Sequence, residues 1–574
     1  MRRLFILAAI ALIGVACTPD DDVATTSTTA ADASTTTTLA PTTTTAPDGL
    51  GGSLTIATGG PIGPLNPFAP DAVLSRLAGN AVWATVYDIE PGTWDRIPDA
   101  VSGLPSDLGA VEINDNGSMT VRYEVRTGAT WSDGVPISGD DIAFTAETMR
   151  DLAISGVGGV DPIMATVVAT DSVEGLAFIT FAEPNLAFED ALWIILPSHI
   201  LGGADIIASN GALWPSGGPF VVDEIEEQNG QIARITFTRN ETYGRSDDQG
   251  RSLPYLDGLT VVATVFGDGA QTASAAFVAR EADIAKLEPD PVELDAAGAA
   301  ESEGAVIAVT PTPVIEQLTF QFSDGRDAVN PASANDEIAY RRAVAHAIDR
   351  PSLLAETMVP WSPETPGLLV PLGGSAWDRY PFDPALASSL VDWRADDSAF
   401  AEQVSAVLTT TGNGDYRIRI GDALDQAFTD IGIRYEPIYL DSVIFFGETL
   451  AQGTFDIGLW AWVNDGGYAN AIALADLFDP ASTADFADVG GWDDPVTERY
   501  SEILRELRTT SDPERFDVLL GEAEAILADD LPVIPLFHRS DHVGWWPDTA
   551  EGVIPNGSRS DVTWNLETWQ RAGE

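Results

Sequence analysis

With 574 residues, 88 acidic side chains against 29 basic ones and a formal net charge of −59, the chain is too long for one core and too acidic to neutralise nucleic-acid phosphates. A hydrophobic content of 45% with 15 Trp is ample for globular packing, and at about 150 residues per domain the length suggests about three domains. Repulsion of anions at long range is screened within about 8–10 Å in physiological salt, so the charge alone specifies no ligand.

Arg2 and Arg3 precede an apolar run, Leu4 to Ala16, that is too short for the ~20 residues a bilayer-spanning helix needs but suits a secretory signal. Cys17 is the one cysteine, which excludes an internal disulfide and cysteine-nucleophile chemistry. Gly14 and Ala16 before it resemble the lipobox of bacterial lipoproteins, with Ile13 and Gly14 where a Leu is usual. That resemblance implies a signal peptide over residues 1–17 and a lipid on Cys17, anchoring the chain to a membrane without spanning it; the alternative is an ordinary signal with an incidental Cys. Residues 18–48 are nearly all Thr, Ala, Asp, Ser and Pro, too poor in apolar side chains to offset ordering entropy, and predict a disordered tether.

The body opens with a strand at Gly52–Ala57, and Asp71–Ala84 predicts a helix carrying Leu74, Leu77 and Val82. Val121, Tyr123 and Val125 alternate with charged residues as in a half-buried strand. Ser132-Asp133-Gly134 turns the chain, Ser138 and Asp141 form a capping-box pattern, and Ile142, Ala146 and Met149 follow on one helical face. A helix over Tyr340–Arg350 places 340, 343/344 and 347/348 inward and its arginines outward. Another follows Asp383-Pro384, and Ala423–Ile433 ends at a Gly before a strand. Tyr500–Leu507 and Phe516–Leu527 are amphipathic helical stretches, and the region ends at Asp530–Phe537 (DLPVIPLF).

The run Trp131-Ser132-Asp133-Gly134…Asp141-Ile142…Phe144 resembles the signature of the extracytoplasmic solute-binding proteins of ABC transporters, in the oligopeptide/dipeptide/nickel family. Ile195–Ile200, Ser216–Phe220, Arg239–Tyr243, Leu253–Val262, Arg280–Ile284, the helix at Tyr340–Arg350 and the octet at 530–537 resemble further motifs of that family, in order, from about Leu54 to Phe537. The resemblance implies an α/β, periplasmic-binding-protein-like two-lobe fold (class II, with an extra third domain) and a ligand cleft between the lobes. It implies a first lobe over 49–88, 200–312 and 545–574, an extra domain over 89–199, and a second lobe over 313–544. It also implies a monomer that delivers a peptide or peptide-like solute to an ABC permease outside the cytoplasm, on the outer face of the membrane or in a periplasm, with no cofactor.

Within Gly453–Gly466, Phe455, Ile457, Leu459, Ala461 and Val463 alternate with Gly458, Trp460, Trp462 and Asn464, which predicts a strand with one aliphatic face and one face of two Trp and an amide. The strand leads to Asp465 beside Gly466-Gly467. In peptide-binding relatives a similar segment lines the cleft, and its last Asp pairs with the solute's ammonium. The candidate ligand-binding residues are therefore Asp465, Trp462, Asn464, Trp460, Ala461 and Val463. A carboxylate in a water-excluding cleft needs a cation; the alternatives are that Asp465 caps the next turn and Trp462 belongs to the core.

A secreted acidic hydrolase of glycosidase type is the competing class, but with 88 carboxylates chance pairs carry no weight. No G-x-S-x-G elbow, P-loop or dinucleotide fingerprint occurs. His199 is expected to be structural, and His538, Asp541 and His542 follow a strand rather than a helix, so no metal is expected. A binding protein for a sugar or metal chelate is the remaining alternative.

Overall fold

The computed structural model describes residues 50–69, 75–157, 159–264, 272–288, 291–357, 367–370, 376–391, 404–412, 415–479 and 494–573. The signal, Cys17 and the tether lie outside them. A ten-stranded sheet is the spine of the molecule. In chain order its strands are β1 (Ser53–Thr58), β2 (Phe220–Gln228), β3 (Gln231–Arg239), β4 (Gly258–Ala263), β5 (Ile284–Leu287), β6 (Val306–Phe320), β7 (Ser405–Thr411), β8 (Arg434–Leu440), β9 (Ile457–Val463) and β10 (Val533–Trp545). Their spatial order is β2-β3-β4-β1-β5-β10-β6-β9-β7-β8.

Parallel pairing is confined to the two ends: β1 with β4 and β5, and β7 with β8 and β9. Between them run the two long antiparallel strands β6 and β10. Their ladder holds from Val306↔Trp545 to Pro311↔Ser540, then breaks, and resumes from Ile315↔His538 to Thr319↔Val533. Pro311 and Pro313 have no N–H to offer a ladder there. Each long strand thus serves one lobe with one half and the other lobe with the other, joined across an irregular step.

Each side of the step has its own core. Leu318, Phe320, Leu408, Ile457, Leu459, Ile534 and the helices Ile338–Ala347, Asp415–Asp430 and Pro513–Asp530 enclose one. Leu54, Ile56, Val121, Ile142, Val261, Val562 and Trp569 belong to the other. This second core runs without interruption from β1 and β4 into residues 89–199, a span that shares their interior. That span contains a four-stranded antiparallel sheet in the order Val111–Ile113, Met119–Glu124, Leu176–Phe181, Val167–Val173, covered by helix Gly139–Ile154.

Ser138 caps that helix as the spacing predicts, with Asp141 Oδ2 accepting from Ser138 N at 3.0 Å. Asp141 also accepts from Ser198 N and Oγ and from the Trp131 indole, so the signature run ties three segments together. His199 pairs with Asp133 at 2.8 Å.

Several expectations need correction. Of the helix expected over Asp71–Ala84 only Arg76–Gly79 is helical, and Ala84–Thr85 is a strand; residues 70–74 lie outside the description. The helix from Ile338 stops at Ala347, where Ile348 turns extended, and a new one runs Arg350–Thr357. Arg341 points inward, because Asp530 and the carbonyls of Asn335 and Asp530 satisfy its guanidinium.

Candidate functional site

Ligands of open α/β sheets sit beyond the carboxyl ends of parallel strands. In the second lobe those ends are Thr411, Leu440 and Val463, and in the first Thr58, Ala263 and Leu287. The loop after Val463 carries Asp465, and it meets the first lobe. Asp465 is 3% exposed. Its Oδ1 accepts from Arg96 Nη2 and from Gly467 N, each at 3.1 Å, and its Oδ2 lies 2.8 Å from Arg559 Nε. Arg96 Nη1 also donates to the Asp465 carbonyl at 3.1 Å, while Arg96 Nε reaches Asp190 at 2.7 Å. Asp190 in turn accepts from Ala469 N at 3.0 Å.

Burial alone would raise the Asp465 carboxyl, but Arg559 and Arg96 outweigh it and hold the group below its usual range. Asp190 is pushed up by burial, and Asp161 nearby is pushed up to about 6 for the same reason. The two arginines differ in exposure and in partners. Arg96 is packed against Tyr87 and fixed at both ends, whereas the Arg559 side chain is 51% exposed.

The other sequence candidates separate. Trp460 is fully buried between Phe445, Phe455 and Trp462, at ring distances of 6.0, 5.6 and 6.0 Å, so it belongs to the core and not to a cleft wall. The expected division of β9 into a core face and a cleft face fails because both faces are covered: Trp460 and Trp462 on one and Ile457 and Leu459 on the other are all buried. Trp462 is also buried, edge-on to Trp460. Asn464 is buried too; its amide donates to the Leu368 and Leu369 carbonyls and its oxygen accepts from Gly466 N, which shapes the loop that presents Asp465. Ala461 and Val463 are half-buried, opposite Glu316 and Val314.

Side chains that sequence reasoning passed over complete the junction. Trp94, in the hairpin turn between Tyr87–Ile89 and Arg96–Pro98, is 4% exposed and meets the His538 ring edge-on at 5.9 Å. At the step between the lobes, buried Glu316 accepts from Arg417, Arg539 and Tyr416. The single lysine of the sequence, Lys286, lies 2.7 Å from Asp561 and 3.4 Å from Asp541. Its scarcity, and the paucity of cations in so acidic a chain, were the available signals. His538 Nδ1 pairs with the Thr312 carbonyl, and His542 is buried with its pKa lowered to about 4. Among the described residues no group of three His, Cys, Asp or Glu is placed to hold a metal ion, and no helix is long and apolar enough to cross a membrane.

The chain is similar to a probable monoacyl phosphatidylinositol tetramannoside-binding protein of Mycobacterium tuberculosis, 33% identical over 147 residues. That match covers 24% of this chain and spans only 22% of the relative's length. It is 22% identical over 438 residues to an oligopeptide-binding protein of Mycobacterium bovis, covering 70% of this chain and 68% of that one. In three dimensions it superposes on a periplasmic EDTA-binding protein with a TM-score of 0.72 at 18% identity, covering 92% of this chain and 97% of the other, a likeness of fold. The two-lobe architecture on either side of β6 and β10 is the fold shared with that solved structure. Residues 108–482 match the family model described as bacterial extracellular solute-binding proteins, family 5, and the chain belongs to that family.

Proposed function

We propose that this protein is the capture subunit of an ABC importer and takes a peptide or peptide-like solute between its lobes for delivery to a permease, without chemical turnover. The observation that carries this reading is the pairing of Asp465. A buried carboxylate needs a cation, and one of its two arginines is half in solvent and free to leave. A solute ammonium taking the place of Arg559 would keep Asp465 compensated, with Arg96 and Gly467 N still in position. Trp462, Ala461, Val463 and Asn464 then serve as support for that loop and Trp460 as packing beneath it. The protein acts as a monomer held by a lipid on Cys17 on the outer face of a membrane, with residues 18–48 as its tether. No cofactor enters this reading.

The test compares trialanine with its N-acetylated form by calorimetry, alongside native mass spectrometry of co-purified cargo. A charge-assisted bond contributes about 1.5–3 kcal/mol, so Asp465→Asn should weaken the free peptide by roughly 10- to 150-fold and leave the blocked one unchanged. Equal binding of both peptides to the wild type, or a cargo without an amine, would refute the peptide reading.

A further inference from the structure

The junction around Asp465 is already full. Trp94 enters it from a short hairpin turn braced by Glu90 N to Asp95 O at 2.8 Å and Trp94 N to Glu90 O at 3.0 Å. Its φ is +63°, a left-handed conformation that is strained for a non-glycine residue and persists only where the surroundings enforce it. The turn places the indole against Gly466 and His538 of the other lobe. It also delivers Arg96, whose Nη1 bridges the Trp94 and Asp465 carbonyls at 3.0 and 3.1 Å. Gly467 has no side chain where Arg96 and Asp190 pass; a Cβ there would fall 2.6 Å from Asp190 Cγ. The contacts of Trp94 with Gly466 and His538, of Arg96 with the Asp465 carbonyl, and of Gly467 with Arg96 and Asp190 join the two sides of the irregular step in β6 and β10, so these must part when the lobes open.

Resting on the peptide reading for the identity of the incoming group, we infer that the solute-free protein latches its own cleft: Arg559 stands in for the solute's ammonium at Asp465 and Trp94 fills the adjoining space, and solute binds by displacing both while Arg96 stays. The side chains mimic a cation followed by an apolar group, which is the chemistry of an amino-terminal residue. Arg559 can leave because half of it is already solvated; Arg96 cannot, because Asp190 holds its Nε. Strain at Trp94 lowers the cost of releasing the turn. A latched population reduces apparent affinity by the fraction of molecules that are competent to bind.

Hydrogen exchange on cargo-free protein, checked by native mass spectrometry, tests the latch without any solute. Segments 90–96 and 465–470 of the wild type should exchange slowly, Ala469 N included. Arg559→Ala and Trp94→Ala should each speed exchange of both segments by about tenfold. Arg559→Lys and Trp94→Phe should preserve protection, which separates loss of the latch from loss of the fold. Equal exchange in the wild type and both alanine variants would overturn the inference. Titration with trialanine gives the second arm: Arg559→Ala should bind about 3- to 10-fold tighter than the wild type, and weaker binding would overturn the displacement. If trialanine binds no variant, the peptide reading falls while the exchange experiment still decides the latch.

Discussion

Glu316 stands at the mechanical centre of the molecule, on the half of β6 that enters the second lobe. Its side chain is 0% exposed, and one oxygen accepts from Arg539 Nε at 2.9 Å, Tyr416 Oη at 3.1 Å and Arg417 Nη2 at 3.2 Å. Glu316→Gln keeps the shape, removes the charge and turns an amide toward two guanidinium groups. Arg417, 3% exposed, is then left without its carboxylate. Breaking a buried pair in this way costs about 3–5 kcal/mol, because one charge stays behind uncompensated. For a lobe of this size each kcal/mol moves Tm by about 2–4 °C, so the loss should be roughly 6–20 °C. Calorimetry and urea titration measure it, and the double variant Glu316→Met/Arg417→Met should recover part of it, because only Arg539, 19% exposed, then keeps a charge without its carboxylate. The pH dependence has a definite sign. Burial would raise the Glu316 carboxyl, but Arg417 and Arg539 hold it below its ordinary value of 4.5. Its stabilisation is therefore present above pH 4.5 and is lost as pH falls below that value toward the lower folded pKa. A loss under about 1 kcal/mol, the size expected of an exposed pair, would refute the reasoning.

Two further outcomes follow from close packing and burial. Gly467→Ala places a methyl against Arg96 and Asp190 across the junction while its own φ of −78° is ordinary. Solution scattering should show a more open protein of unchanged thermal stability, and a wild-type radius of gyration would contradict this. Glu524 accepts from Leu368 N, Val370 N and the Trp377 indole, yet burial pushes its carboxyl up to about 6. The folded state thus holds the proton more tightly than the unfolded one, and this group's contribution to stability falls as pH rises from about 4.5 to 6. Glu524→Gln should flatten that part of the pH–stability curve, and an unchanged slope would exclude the group as its source.

Local signals survived the passage from sequence to structure. The capping box at Ser138 and Asp141, the Gly432 stop before β8 and the strand–helix order of the second lobe depend on neighbours a few residues away. What failed depended on distant partners. Arg341 looked like a solvent-facing arginine until Asp530, 189 residues on, gave it a buried mate. The Trp460 position looked like a cleft wall because alternation identifies two faces but not what covers each; Phe445 and Phe455 close over that indole. Asp465 stood out, but its partners did not: Arg96 lies 369 residues before it, and no spacing rule connects them. The family motifs located the loop, and only the assembled lobes revealed the arginines that meet it.

The shared interior of the first lobe also dictates an order of assembly. Its core contains Leu54 and Ile56 from the start of the body and Val562, Leu566 and Trp569 from the last stretch, all essentially without solvent contact. The second lobe's core draws mainly on one continuous run, from Leu318 to Phe537. During synthesis that run can condense as soon as it has emerged, whereas the first lobe must wait, half-built, until the final helical turn and its tryptophan arrive to close it.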